Sequence, residues 1–166
     1  MNLKTRRAET DEIDTALQLL YEAAVWLKSQ SIDYWQMWLE PAEHYVAWIA
    51  GGFKNREFYF VYDGADSLVG MYRLQFEDEM FWGKRDDRAA YVHSFTTRRS
   101  LKGWGVGTDI LRMIEAEGAA SGIEFLRLDC SSENFGLCKY YEAFGFVPSG
   151  DIELFGERLR LYEKPI

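Results

Sequence analysis

Lys102-Gly103-Trp104-Gly105-Val106-Gly107-Thr108 is the stretch that decides the fold. It follows an apolar run, Ala89 to Thr97, that reads as a strand, and it opens a helical pattern reaching about Ala120. Glycines let the backbone bend sharply and approach a ligand closely. The first turn of a helix then presents unpaired N–H groups and a positive dipole end. A strand, a glycine turn and a helix N-terminus together make a cradle for a pyrophosphate. A bare strand-to-helix turn would use the same glycines, so the triplet alone leaves both readings open. Two other phosphate loops are excluded. No Gly-x-x-x-x-Gly-Lys-Ser/Thr occurs, and Gly103-x-Gly105-x-Gly107 is not Gly-x-Gly-x-x-Gly in a first β-α-β unit.

Working outward, the pattern upstream changes twice. Leu3 to Ala8 suits a short strand. Thr10 and Asp11 offer N-cap oxygens, and Ile13, Ala16, Leu17, Leu20, Ala24 and Leu27 recur at helical spacing, which predicts a helix over about 11–28. A second helix is expected from Pro41 to Ile49, stopped by Gly51-Gly52. Phe58 to Tyr62 and Leu68 to Phe76 flank Asp63-Gly64 and predict a hairpin. Glu77 to Arg88 is charged and reads as a loop. Downstream, a strand is expected over 123–130, a helix from Asn134 to Phe144 ended by Gly145, and two strands near 147–154 and 158–163. The order β-α-α-β-β-β-α-β-α-β-β implies an α+β domain with a mixed sheet covered by helices, and a right-handed crossover from Thr97 to Ile123.

The 166 residues fit a single domain, 1–166, able to bury a core without disulfides or metals. With 19 basic and 27 acidic side chains the net charge is −8, so nucleic acid is not an expected partner. An acidic surface attracts cationic acceptors, although such a charge also serves solubility alone. Cys130 and Cys138 lie outside any Cys-x-x-Cys, and His44 and His93 are the only histidines, so no metal is expected and free thiols in a cytoplasmic protein are. No apolar run is long enough to span a membrane, and the basic start Met1 to Arg7 lacks the apolar segment of a signal peptide.

Lys102-Gly103-Trp104-Gly105-Val106-Gly107 resembles the Arg/Gln-x-x-Gly-x-Gly/Ala loop of the GNAT superfamily of N-acetyltransferases, with Lys102 at the usual Arg or Gln position. Asn134-Phe-Gly-Leu-Cys-Lys-Tyr140-Tyr141-Glu-Ala-Phe-Gly145-Phe146 is similar to that family's Asn-x-x-Ala-x-x-Leu-Tyr-x-x-x-Gly-Phe, with Leu137 replacing Ala. One helix and one strand fit between the two motifs, as in the family. The likeness is specific over about 89–147 and elsewhere rests on element order. The segment from Ala24 to Leu27 with Ser31 to Gln36 also looks like bacterial single-domain members, where this region walls the acceptor side.

The resemblance implies a mostly antiparallel sheet of about seven strands with about four helices, and acetyl-CoA as cosubstrate. It implies that backbone groups of Phe95 and Thr97 pair with the pantetheine and that an N–H near Thr96–Thr97 polarises the thioester. Amides of Lys102, Gly103, Trp104, Gly105, Val106, Gly107 and Thr108 would hold the pyrophosphate, with Arg98 and Arg99 adding positive charge. Asn134 would bond the cofactor or simply cap its helix. Tyr141 would protonate the departing thiolate, a task suited to a phenol that stays protonated at neutral pH. His93 is the side-chain candidate for the base, and it shares a strand face with Phe95 and Thr97 by period two. Glu77, Asp78 and Glu79 could instead act through water, or simply form a solvated loop. Trp35 and Glu77 are acceptor-site candidates; packing and solvation are their plainer roles.

The expected activity is acetyl transfer to a primary amine of a small molecule by direct attack in a ternary complex. A protein or peptide N-acetyltransferase and a non-catalytic acyl-CoA sensor are the alternatives, and a homodimer is left open.

Overall fold

A computed structural model describes residues 2–166; Met1, the start of the basic N-terminal stretch, lies outside the described residues. Seven strands are hydrogen-bonded in the order β1-β2-β3-β4-β5-β7-β6. They are β1 Lys4–Arg7, β2 Phe58–Tyr62, β3 Leu68–Gln75, β4 Ala89–Thr97, β5 Phe125–Ser131, β6 Val147–Leu154 and β7 Glu157–Pro165. Five helices accompany them: α1 Ile13–Ser29, α2 Glu43–Lys54, α3 Glu79–Trp82, α4 Val106–Ala120 and α5 Phe135–Phe144. The expected mixed α+β fold is the one observed. β1–β2, β2–β3, β5–β7 and β6–β7 are antiparallel, while β4–β5 is parallel, as a crossover through α4 requires.

The residues group into two compact units, one of residues up to Leu74 with Ser94–Ile110, the other of Gln75–His93 with Leu111–Ile166. β4 and α4 each run through both units. The first unit's core is apolar and aromatic, with Leu19 and Leu20 of α1, Ile49 and Phe53 of α2, and Phe58 and Phe60 of β2 all buried. Each such side chain contributes roughly 1.5–3 kcal/mol by leaving water. The helical stripe read in α1 is the one that packs, with Ala16, Leu20, Ala24 and Leu27 buried. In the second unit, Trp82, Ala89, Tyr91 and Leu161 form a separate cluster.

Local chemistry explains most boundaries. The side chain of Asp63 accepts the N–H groups of Ala65 and Ser67 at 2.9 Å, closing the β2–β3 hairpin. Asn134 accepts the N–H of Leu137 at 3.2 Å and caps α5, which ends at Gly145 with φ of 104°. Three expectations need correction. The cap before α1 is not Thr10 or Asp11: a 3-10 turn over Thr10–Glu12 precedes it, and the Glu12 carboxylate accepts the Glu9 N–H at 2.8 Å. The segment 77–88 is not all loop, because the Asp78 side chain caps the short helix α3.

The third correction concerns Gly51-Gly52, which do not stop α2. The helix continues to Lys54. A Cβ at Gly52 would lie 2.6 Å from Phe58 Cε2 and 2.8 Å from Arg73 Nε, so this glycine serves close packing rather than termination. The crowding side chain is fixed, for the buried Arg73 guanidinium pairs with Glu57 at 2.6 Å and lies 4.1 Å from the Trp48 ring centroid. Gly51 has no atom within 4 Å of such a Cβ. Gly52→Ala should therefore destabilise by about 1–3 kcal/mol through overpacking, whereas Gly51→Ala should be neutral or stabilise by up to ~1 kcal/mol through helix propensity. Urea unfolding of the two variants checks this pair.

Candidate active site

In the first unit, β4 ends at Thr97 and a 3-10 turn, Arg99–Leu101, leads into the glycine loop. Gly103 and Gly105 have φ of +86° and +77°, and no atom lies within 4 Å of a Cβ placed on either. The left-handed backbone explains why glycine stands here, and the open space beside it is what a ligand's close approach requires. Val106, buried, begins α4, so Gly107 and Thr108 lie in its first turn with the N-terminal amides. Trp104 is 70% exposed.

The cations near the loop are already engaged. Arg98 pairs with Glu22 of α1. Arg99 donates to the Thr97 carbonyl at 3.0 Å and to its hydroxyl at 2.7 Å, and burial pulls its pKa down. Lys102 Nζ and Arg99 Cζ lie 4.5 Å and 5.3 Å from the Trp26 ring centroid. The carbonyl of Thr97, expected to meet a pantetheine, is thus held by Arg99 here. Of its neighbours, Thr96 is buried and Phe95 half-buried. Trp35, also in the first unit, has φ of 61° and stacks on Tyr34 at 5.7 Å, so its ring is packed.

The expected alternation along β4 is broken. Ser94 has φ of 49°, a left-handed residue inside a strand. Period two would have placed His93, Phe95 and Thr97 on one face; His93 closes a buried run that begins at Ala89, and beyond Ser94 it is Thr96 that is buried. Pairing of β4 with β5 covers Ala89↔Phe125 to Tyr91↔Arg127, and both strands run on beyond it.

In the second unit, His93 stands between two carboxylates. Its Nε2 lies 2.9 Å from Asp78 Oδ2 and its Nδ1 3.7 Å from Asp129 Oδ1. The Phe81 ring lies 5.0 Å away by centroid. Burial pushes the Asp129 carboxyl up to about 6, with His93 pulling it down and the charges of Asp78 and Glu157 adding to the rise. Sequence reasoning named Glu77, Asp78 and Glu79 together for a water-mediated role and Glu77 as an acceptor-site candidate; Glu77 is exposed, and Asp78 is the one that lies beside His93. It passed over Asp129 altogether. The available signal was charge inside an apolar strand, Phe125-Leu-Arg-Leu-Asp-Cys.

Tyr141 is buried on α5, with the rings of Phe146 and Tyr162 each 5.9 Å away, while Tyr140 is half-buried, as divergent helix directions require. The free thiols of Cys130 and Cys138 lie 3.7 Å apart, and burial drives the Cys130 pKa upward.

The acetyltransferase (GNAT) family model matches residues 17–146, and the chain belongs to this family. The chain is similar to a GNAT-family acetyltransferase from Listeria monocytogenes, at 24% identity and a TM-score of 0.77, over 99% of this chain and 95% of that one. It is similar to a Vibrio cholerae–human chimera of a spermidine N-acetyltransferase at 17% identity, TM-score 0.70, over 99% and 96%. It also resembles a ribosomal-protein alpha-N-acetyltransferase in complex with coenzyme A at 20% identity, TM-score 0.68, over 100% and 95%. No curated protein sequence matches it.

The sign of the Asp129 shift sets a pH dependence of stability. Its folded pKa of about 6 exceeds the ordinary unfolded value of ~3.9, so the folded state binds the extra proton between them. That contribution is complete below pH ~4 and is lost as pH rises to about 6. Asp129→Asn removes it. The stability of this variant relative to wild type should improve by up to ~3 kcal/mol between pH 4 and pH 7, read from denaturant midpoints at several pH values.

Proposed function

We propose that the protein is an acetyl-CoA-dependent N-acetyltransferase, carried on a single cytoplasmic domain, that acetylates a primary amine of a small molecule in a ternary complex. The observation that carries this reading is the pair of left-handed glycines, Gly103 and Gly105, with open space beside them at the start of α4, in a chain of the GNAT family. Backbone amides of residues 102–108 hold the pyrophosphate there, and the helix dipole favours its charge. Asn134 has its Oδ1 committed to the α5 cap, which leaves its NH2 as a donor to the cofactor. Phe95 and the N–H groups near Thr96–Thr97 serve the pantetheine and the thioester carbonyl.

The amine must arrive as a cation and react as a free base. An overall charge of −8 favours its approach, and the buried group of His93, Asp78 and Asp129 takes up its proton. Tyr141 gives a proton to the leaving thiolate. Trp35 and Glu77 contribute to the acceptor side. Peptide N-termini are the second acceptor class, since one similar structure is of a ribosomal-protein acetyltransferase. A thiol-release assay with polyamines, amino acids, aminoglycoside-like amines and short peptides separates the two classes. Acetyl-CoA binding without turnover across that panel would instead identify a sensor.

Two outcomes are expected. Acetyl-CoA at about 100 times its Kd should stabilise the protein by ~2.7 kcal/mol, and Gly105→Val, a β-branched residue in a left-handed position, should abolish this shift by occupying the open side of the loop. Differential scanning fluorimetry with NAD and ATP as controls reads both. Tyr141→Phe should lower kcat by roughly 10²-fold with acetyl-CoA affinity nearly unchanged, because the ring remains and the donor is lost. Steady-state kinetics beside calorimetry tests it.

A further inference from the structure

We propose that Asp129 is the atom-level proton acceptor for the amine, with His93 and Asp78 as positioning residues behind it. This rests on the acetyltransferase reading above and assigns a role to a residue that the sequence motifs do not reach.

His93 is the obvious base, yet its ring has little left to offer an amine. An imidazole has two nitrogens, and here Nε2 is held at 2.9 Å by Asp78 while Nδ1 is turned toward Asp129. Asp78 therefore occupies Nε2 and Asp129 faces Nδ1, which leaves neither nitrogen open to an incoming amine. Asp129 differs. Its approach to Nδ1, 3.7 Å, is too long for a full hydrogen bond, and among the described residues no hydrogen bond to its side chain is made. A carboxylate left so, with a side chain only 11% exposed, is costly in its charged form. It is therefore ready to take a proton, and burial sets its affinity near 6, between an ordinary carboxylate and neutrality.

Its place along the chain supports the role. Arg127 is the last β5 residue in register with β4, and Asp129 follows two residues later on the same face of the strand. The groups that act on it come from three other elements: Asp78 at the start of α3, His93 on β4 and Glu157 at the start of β7. Of the charges that act on Asp129, His93 favours its ionised form, while Asp78 and Glu157 disfavour it.

The proton balance closes. R–NH3+ transfers a proton to the Asp129 carboxylate, giving R–NH2 and Asp129 carboxylic acid. The amine lone pair forms the N–C bond at the thioester carbonyl. The C–S bond then breaks, sulfur takes the Tyr141 proton, and the phenolate recovers one from the charged amide nitrogen. Asp129 returns its proton to solvent, so the sum is amide, free thiol and one proton.

The test measures kcat and kcat/KM from pH 5 to 10 for wild type, Asp129→Asn, Asp129→Glu, His93→Gln and Glu157→Gln, using the best acceptor from the panel and a series of amines graded in pKa. Asp129→Asn should lose at least ~100-fold in kcat at pH 7 while calorimetry gives unchanged acetyl-CoA affinity. Its remaining rate should rise about tenfold per pH unit up to the pKa of the amine, because only free amine reacts, and weakly basic amines should rescue it. Asp129→Glu should keep an acidic limb, and Glu157→Gln should move that limb to lower pH by removing a neighbouring negative charge. If Asp129→Asn fails to fold, these last two variants carry the test. An Asp129→Asn profile with the wild-type shape overturns the inference, as does His93→Gln alone showing the free-amine dependence. Wild type that binds acetyl-CoA but releases no thiol with any amine overturns the enzymatic reading itself, and that failure is visible in the wild-type lane before any variant is compared.

Discussion

The guanidinium of Arg127 is the tie on which the geometry of the second unit depends. It is buried, bonds Glu163 Oε2 and Asp87 Oδ1 at 2.6 Å and the Tyr91 hydroxyl at 2.8 Å, and lies 5.0–5.5 Å from the ring centroids of Trp82, Phe125 and Tyr91. Burial works against its charge, but the bonds to Asp87, Glu163 and Tyr91 outweigh that, and its pKa is raised. A buried ion pair is weak in net stability and strong in geometry, since removing one partner leaves the others stranded. Arg127 fixes the last register pair between β4 and β5, Tyr91↔Arg127, and ties β7 and the segment before β4 to it. What happens beyond that pair is thereby allowed to differ from a regular sheet.

The parts of the fold legible in the sequence were those with a period or a punctuation mark. The α1 stripe, the Asp63-Gly64 hairpin and the Asn134-to-Gly145 helix each carry local physics that the surroundings do not override. The Gly51-Gly52 stop failed because a glycine has two uses. Its freedom to turn is visible in a sequence, whereas its lack of a side chain matters only against Phe58 and Arg73, six and twenty-one residues on. The same ambiguity resolves the other way at Gly103 and Gly105, where positive φ and the absence of near neighbours show turning rather than packing. The α3 helix was missed because four residues make too little period to read, and its cap, Asp78, sat among other acids.

The candidate site was half legible for a related reason. Backbone chemistry announces itself through glycines and caps, so the loop at 102–108 and Asn134 stand where the sequence placed them. Side-chain chemistry depends on which residues meet. His93 meets Asp78 fifteen positions earlier, and Asp129 thirty-six positions later, through different elements. Only burial separates Asp78 from Glu77 and Glu79, and burial is decided by the α3 cap, not by composition. The charged residues of β5 were the one clue: charge in a strand interior is costly, and Arg127 is satisfied there by Asp87, Glu163 and Tyr91, while the Asp129 side chain is not hydrogen-bonded among the described residues.

The kink at Ser94 links these observations. A left-handed non-glycine residue costs roughly 1 kcal/mol or more, and inside a strand it also interrupts the ladder. Counted by two, His93 and Thr96 fall on opposite faces of a regular strand; both are buried here, and the left-handed Ser94 lies between them, just after the residue that touches the carboxylates. A regular strand would avoid the left-handed residue at this point. The chain instead accepts a strained residue and an under-bonded carboxylate within two elements of each other, and such costs concentrate where a protein handles a proton or a ligand.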